Sequence, residues 1–278
     1  MSKKVWFVTG ASKGLGLALI KKLLNKNYKV VATSRNVQSL ISELGESSDV
    51  FLPLQVDLTN DNEVKKAVAR SMKHFGKLDV IVNNAGYGQL GTIEELSDEE
   101  TRANFNINVF GSLNVIRNVM PYFRTQKSGT IFNISSAGGY FGAFAGWGIY
   151  CSSKFAVAGF TEALAEEVKE FGVSATVVYP GYFRTDFLSK NSIKSPEHPI
   201  NDYQAARQSE QDHLNQINGN QTNDPEKAAT VLIAISEEEK PPVHLLLGKD
   251  AYEILKTKID VMSKDVETWK NHTFSTTI

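Results

Sequence analysis

Seven short apolar runs recur along the chain: KVWFVT (residues 4–9), KVVATS (29–34), VFLPLQ (50–55), DVIVN (79–83), TIFNIS (130–135), VSATVVY (173–179) and VHLLLG (243–248). Between them lie segments of helical period. Gly16, Leu19, Ile20, Leu23 and Leu24 share one face, and so do Val64, Ala67, Val68, Ser71, Met72 and Phe75. Strands that alternate with helices pair in parallel, which predicts one doubly wound α/β domain over residues 1–278. The strands are apolar almost throughout, so helices must cover both faces of the sheet. Pro53 is the exception: it removes a ladder donor and places the third strand at an edge. That position is outermost in a seven-stranded parallel sheet of order 3-2-1-4-5-6-7.

Other signals mark boundaries. Ser97 and Glu100 form a capping-box pattern at the start of a helix, and Pro121 predicts a kink or an end further along it. Residues 187–224 are polar and rich in Gln and Asn, which predicts a mobile substrate lid, with DYQAARQSEQDHLNQI inside it as a candidate surface helix. Asp224 then caps a helix that opens on Pro225. Residues 249–278 read as an amphipathic C-terminal helical extension.

Thirty Lys and Arg against thirty-one Asp and Glu leave a net charge of -1, no basis for a nucleic-acid or membrane-surface partner. The single cysteine, Cys151, excludes an internal disulfide framework and falls within a helical pattern, where packing is its expected role. The first strand begins at Lys4, no room is left ahead of it for a secretory leader, and no apolar stretch is long enough to span a bilayer. The expectation is a cytoplasmic protein, and the motifs call for no metal ion.

The first strand runs into Thr9-Gly10-Ala11-Ser12-Lys13-Gly14-Leu15-Gly16 and a helix. A strand, a glycine turn and a helix N-terminus make an anion site that a pyrophosphate can approach, the mark of a Rossmann-type fold. Gly142, Gly146 and Gly148 repeat the glycine spacing, but aromatics lie among them and no strand immediately precedes them. A carboxylate to hold the ribose 2′-hydroxyl of NAD is missing from the end of the second strand, Thr33-Ser34-Arg35-Asn36. Arg35 and Lys13 instead suit a 2′-phosphate, so NADP(H) is the expected cofactor.

Two Tyr-x-x-x-Lys pairs occur, Tyr150/Lys154 and Tyr252/Lys256. The first follows a strand ending in Ser135-Ser136, at the edge where ligands of parallel sheets sit. A free tyrosine titrates near ~10, so proton transfer near neutral pH calls for a drop of about 2–3 units. The ammonium of Lys154 and the positive ring of an oxidised nicotinamide both have the right sign. The second pair, with no glycine loop or serine-bearing strand beside it, reads as surface helix.

Taken together these motifs resemble the short-chain dehydrogenase/reductase family, and the resemblance runs from Lys4 to about Gly248. TGASKGLG is similar to the family's cofactor loop, VDLT puts Asp57 and Leu58 at its adenine contact, and NNAG supplies Asn84, Ala85 and Gly86. Asn108, Ser136, Tyr150 and Lys154 fall on its catalytic tetrad, and Pro180, Gly181 and Thr185 on its nicotinamide-contacting segment. From Ser136 to Tyr150 is fourteen residues, one more than the family's usual spacing, which places the insert in the glycine/aromatic loop GGYFGAFAGWG; Ser135 is the competing candidate. Ser136 is preferred because Ser135 points to the opposite face of an extended strand end.

The resemblance implies carbonyl reduction: hydride transfer from the nicotinamide, protonation by Tyr150, a hydrogen bond from Ser136, Lys154 lowering the tyrosine pKa and positioning the ribose, and Asn108 holding a relay water. The reverse reaction is an alcohol or hydroxysteroid-type dehydrogenase. Tyr140, Phe141, Phe144 and Trp147 before the tyrosine, and Tyr182, Phe183 and Phe187 before the lid, suggest a pocket for a bulky apolar or aryl ketone or aldehyde. The rival class is a non-catalytic NADP(H)-binding sensor or interaction module, which would not need the whole tetrad. Family members commonly pair the tyrosine helix and its predecessor across a two-fold axis, so the resemblance also implies a homodimer or homotetramer.

Overall fold

The computed structural model describes residues 3–189 and 192–278. Residues 190 and 191 of the expected lid lie outside the described residues. Seven strands form one parallel sheet: β1 (Val5–Val8), β2 (Lys29–Ser34), β3 (Phe51–Gln55), β4 (Val80–Asn83), β6 (Gly129–Ile134), β7 (Val173–Pro180) and β9 (His244–Leu247). Their order is β3-β2-β1-β4-β6-β7-β9, the 3-2-1-4-5-6-7 order expected from the sequence. The remaining two strands, β5 (Gly88–Gln89) and β8 (Ile193–Lys194), pair in parallel away from the main sheet.

Successive side chains of a strand point to opposite faces, and β1 shows the consequence. Val5 and Phe7 join a core with Val64 of α3 (Asp61–Phe75), Val115 of α5 (Gly111–Gln126) and Leu164 of α6 (Gly148–Glu167). Trp6 and Val8 join a second core with Leu19 of α1 (Gly14–Asn25), Leu40 of α2 (Val37–Leu44) and Leu232 of α8 (Pro225–Glu237). Pro53 sits on the edge strand, as predicted. Val30 N–H donates to the Val50 carbonyl and Val56 N–H to the Ser34 carbonyl, so even-numbered residues of β3 face β2 and the Pro53 nitrogen faces outward.

The capping box of Ser97 and Glu100 opens α4 (Asp98–Phe105), and Asp224 caps α8 with Pro225 at its start. Pro121 does not end its helix: α5 continues through it to Gln126. The segment expected as a mobile loop is largely folded. It holds β8, α7 (Gln204–Gln211) and a π-helical turn Asp212–Ile217, and α7 coincides with the candidate surface helix. Arg207 of α7 is clamped by Glu95 at 2.9 Å, with the carboxylate fully buried. The chain ends in α9 (Lys249–Thr268) and α10 (Lys270–Phe274).

Candidate active site

The β1–α1 turn is built to lie close to β4. Gly10 has φ +61°, and a Cβ there would come within 2.7 Å of the Ala85 Cα; at Gly16 one would meet the Asn84 Nδ2 and the Gly10 carbonyl at 2.6 Å. Asn84 Nδ2 fastens the turn, donating to the Thr9 and Gly10 carbonyls at 3.0 and 2.9 Å. Thr9 Oγ1 answers by accepting from the Asn84 and Ala85 N–H groups. Lys13, the residue before α1, offers no side-chain cap, so the first-turn amides of the helix remain donors for an anion.

This turn forms one end of a cavity of about 490 Å³. Of the residues expected at the cofactor, Gly10, Ser12, Lys13, Gly14, Leu15, Arg35, Leu58, Asn84, Ala85, Gly86, Pro180, Gly181 and Thr185 line it. Gly16 serves by letting the turn approach β4. Asp57 does not line the cavity: its Oδ1 accepts from the Thr59 N–H and hydroxyl at 2.9 and 2.8 Å, and its neighbours Val56 and Leu58 face the cavity instead. Lys13 Nζ donates to the Ser192 hydroxyl at 2.6 Å. Burial lowers its pKa, Asp186 opposes that fall, and the charge of Arg35 adds to it, so two cations share this corner. The glycine cradle, the uncapped helix start and the paired cations fit a phosphorylated dinucleotide.

The other end of the cavity holds Ser136, Tyr150 and Lys154. Tyr150 and Lys154 are one turn apart on α6, which is tied to the sheet by a buried polar chain. Asn83 Nδ2 donates to Asn133 Oδ1 at 2.8 Å, and Asn133 Nδ2 donates to the Thr161 hydroxyl at 2.9 Å. Lys154 Nζ donates to the Ile134 carbonyl at 2.9 Å and stands 5.8 Å from the Tyr150 ring centre. Ser135 and Ser136 both line the cavity but their hydroxyls diverge: Ser135 Oγ is buried and donates to the Lys154 carbonyl at 2.8 Å, whereas Ser136 Oγ accepts from the Gly138 N–H and reaches the Tyr150 phenol.

Asn108 lies behind the cavity wall, in a π-helical turn (Asn106–Phe110) between α4 and α5. Its Nδ2 donates to the Tyr87 carbonyl, Asn104 Oδ1 and the Ser153 hydroxyl, and its Oδ1 accepts from the Tyr87 N–H. A Cβ on Gly86 would sit 3.0 Å from Asn108 Oδ1 and 3.4 Å from Lys154 Nζ, so glycine brings the two groups to the same place.

The electrostatics differ from the sequence argument. Burial pushes the Tyr150 phenol well above its ordinary value, against the hydrogen-bonding pull of the Ser136 hydroxyl, and the charges of Cys151 and Tyr182 push the same way as burial. Burial lowers Lys154 to about 8. The expected depression of the phenol by the ammonium is therefore absent in this state. Cys151 packs as expected, its thiol pushed by burial up to about 12.

Phe144, Trp147, Tyr182 and Phe187 line the cavity beyond Tyr150. Tyr140 does not: its ring packs edge-on against Tyr179 at 5.0 Å and its hydroxyl donates to the Ala251 carbonyl, and Phe141 is likewise outside the lining. Sequence reading missed two contributors. His213, from the π-helical turn after α7, lines the cavity with its ring 4.7 Å from Trp147. Its Nδ1 faces the Ser209 carbonyl and its Nε2 the Tyr182 hydroxyl at 2.9 Å, so the phenol is the donor to Nε2. Asp250 of α9 accepts from the Tyr182 N–H at 2.6 Å and from Asn223 Nδ2 at 2.7 Å, holding the segment after β7 against the sheet edge. Neither left a local signal in the sequence.

A parallel sheet with a glycine turn at its switch point and a buried tyrosine–lysine turn beside it defines a dinucleotide-dependent oxidoreductase architecture. Comparison with known proteins gives the family. Residues 4–195 match the short chain dehydrogenase family, and the chain belongs to it. The oxidoreductase BOA17 of Botryotinia fuckeliana is 36% identical over 269 residues, 96% of this chain and 97% of that one. A 3-ketodihydrosphingosine reductase of Bacteroides thetaiotaomicron is 37% identical over 203 residues, 73% of this chain and 72% of that one. A short-chain dehydrogenase from Streptomyces avermitilis superposes with a TM-score of 0.90 at 32% identity, covering 99% of this chain and 100% of that one. ElxO with NADP bound superposes at 0.72 with 25% identity, covering 88% and 96%.

Proposed function

We propose that this short-chain oxidoreductase transfers hydride between NADP(H) and a carbonyl or secondary alcohol, working as a reductase of apolar or aryl ketones and aldehydes. The observation that carries the reading is that Tyr150, Ser136 and Lys154 share one cavity with the glycine cradle and the Lys13–Arg35 corner. NADPH, when bound, supplies the hydride for the carbonyl carbon. Lys13 and Arg35 hold the 2′-phosphate, and the first-turn amides of α1 hold the pyrophosphate. Ser136 donates to the substrate oxygen, and Tyr150 gives it the proton that balances the hydride, leaving an alcohol. A buried phenol keeps its proton at neutral pH, which suits donation to an alkoxide. Lys154 orients the ribose, and Asn108 holds the water that returns a proton to the phenol.

The apolar wall of Phe144, Trp147, Tyr182 and Phe187 supports a bulky apolar substrate, as does the likeness to the Bacteroides 3-ketodihydrosphingosine reductase. The described residues of segment 187–224 act as the substrate cover, held down through Arg207 and Glu95. Assembly across α5 and α6, where Tyr122 and Phe155 are exposed, belongs to the same reading. No helix among the described residues is long and apolar enough to cross a membrane.

The test is the initial rate of NADPH oxidation with aliphatic, aryl and steroidal ketones, beside dissociation constants for NADPH and NADH. Turnover with apolar ketones and about tenfold or more preference for NADPH, lost in Arg35→Ala, is the expected result. Equal affinities would overturn the cofactor assignment. NADPH binding with no turnover anywhere in the panel would favour a cofactor-binding sensor or interaction module.

A further inference from the structure

The C-terminal arm carries a pattern that the catalytic reading does not use. Along α9 and into the residue that ends it, Tyr252, Leu255, Ile259, Met262, Val266 and Trp269 follow one another at alternating steps of three and four. At ~100° per residue these six lie within an arc of about 100°. A strict three-four repeat is the seam of a supercoiled helix pair, narrower than the stripe with which a helix covers a globular core.

The arm does not use this seam on its own body. The base of α9 is seated: Ala251 is fully buried, and Ile254 reaches the active-site cavity. From Ile259 to Ile278 every residue is exposed, including Ile259 at 52%, Met262 at 51%, Val266 at 62% and Trp269 at 57%. An isolated helix of this length is marginal in water, so an apolar face along it calls for a partner. A lipid surface is a poor one, because residues 249–278 hold five Lys against five Asp and Glu and offer no net attraction to anionic headgroups.

We propose that the arm pairs antiparallel with the arm of a second copy of this chain. In that register Ile259 faces Met262 of the second copy, Val266 faces Leu255, and Tyr252 faces Trp269. The same register sets Lys258 beside Asp265 of the second copy, and two-fold symmetry repeats this complementary pair, while on the other flank Lys249 falls beside Lys270 of the second copy. Lys270 is engaged with Glu267 inside the arm. The antiparallel sense also follows from shape. Packed helices are about 8–10 Å apart, far less than the width of the body at the base of each arm, so the two bodies must lie at opposite ends. This contact is separate from the α5–α6 face. Because α9 also supplies Asp250 and Ile254, it joins the assembly directly to the wall of the active site.

The experiment is sedimentation velocity of the full chain at about 20 μM, with charge swaps. Lys258→Asp alone and Asp265→Lys alone each reduce the assembly to its next smaller form, with association weakened about tenfold or more. The double swap restores it to within about threefold of the parent. Ile259→Glu with Met262→Glu gives the smaller form with no rescue. Ile259, Met262 and Asp265 are exposed and Lys258 is half-buried, so far-UV circular dichroism and the thermal transition of the body stay as in the parent. A monomeric parent, an unchanged mass in every variant, or a double swap that fails to restore association overturns the proposal. So does flotation of the chain with phosphatidylcholine–phosphatidylserine vesicles that is lost in the Ile259→Glu, Met262→Glu variant.

Discussion

Two turns of helix in this molecule carry the same four-residue signature and occupy opposite environments. Tyr150 is 7% exposed and Lys154 5%, both at the wall of the main cavity; Tyr252 is 55% exposed and Lys256 is open to solvent. The spacing is the same, so the spacing cannot be what makes chemistry. The difference is what the sheet presents to each pair. β6 ends at the first with Ser135 and Ser136, and the Ile134 carbonyl reaches its ammonium. The second follows the last strand on a helix that leaves the body. Burial then shifts both members of the first pair, the phenol upward and the amine down to about 8.

The sharpest way to break the comparison is to remove one hydroxyl from each pair. Tyr150→Phe is expected to lower kcat by about 10²–10⁴, the range of a general acid, with NADPH affinity retained. Tyr252→Phe should stay within about twofold of the parent. Steady-state rates on a ketone turned over by the parent, with cofactor fluorescence as the binding control, measure both. Equal effects at the two sites would remove Tyr150 as the proton donor.

The fold was legible because its signals are periodic and local. Strand runs, helical faces and the edge proline Pro53 together determine a parallel order with few alternatives. The glycine turn and the Tyr–Lys spacing were legible for the same reason. Contacts between distant polar residues were not. Asp250 sits in an unremarkable Lys-Asp-Ala stretch, and only folding brings it to Tyr182 and Asn223, 68 and 27 positions away. His213 lies in a Gln- and Asn-rich run with no feature to separate it from its neighbours, and Glu95 and Arg207 meet across 112 positions. Tyr140 was misread in the other direction: an aromatic near the site in sequence packs on Tyr179 instead. The tyrosine pKa also escaped sequence reasoning, since the depth of burial that sets it is a property of the assembled sheet.

A second comparison concerns the lysines. Lys154→Met keeps the stem and removes the amine, and a loss of about 10–100-fold in kcat/KM is expected, against no change for Lys256→Met. Stability supplies a signature independent of turnover. Below pH 8 Lys154 is protonated in both folded and unfolded chains, and the folded chain carries the cost of a buried ammonium. Between about 8 and the ordinary value of 10.5, the unfolded chain binds a proton that the folded chain has released, so this group favours folding more as pH rises. Methionine does not titrate. The unfolding free energy of the parent should therefore gain on that of Lys154→Met from pH 7 to 10, by up to ~3 kcal/mol. A flat difference would mean that the amine is better solvated than its burial indicates.

The smallest effects separate the two adjacent serines, which the comparison of the two pairs leaves as the finest distinction. Both serines line the cavity, but Ser135 Oγ is engaged with the Lys154 carbonyl, while Ser136 Oγ reaches the phenol. Ser136→Ala should lower kcat by roughly tenfold, because one donor to the substrate oxygen is lost, and leave the thermal midpoint nearly unchanged. Ser135→Ala should do the reverse. It breaks one buried hydrogen bond worth about 1 kcal/mol, a fall of roughly 2–4 °C in Tm for a domain of this size, with turnover kept. Should Ser135→Ala silence the enzyme at an unchanged Tm, the strand end must rotate when substrate enters. The spacing from the catalytic serine to Tyr150 would then be fifteen residues, two more than the family's usual.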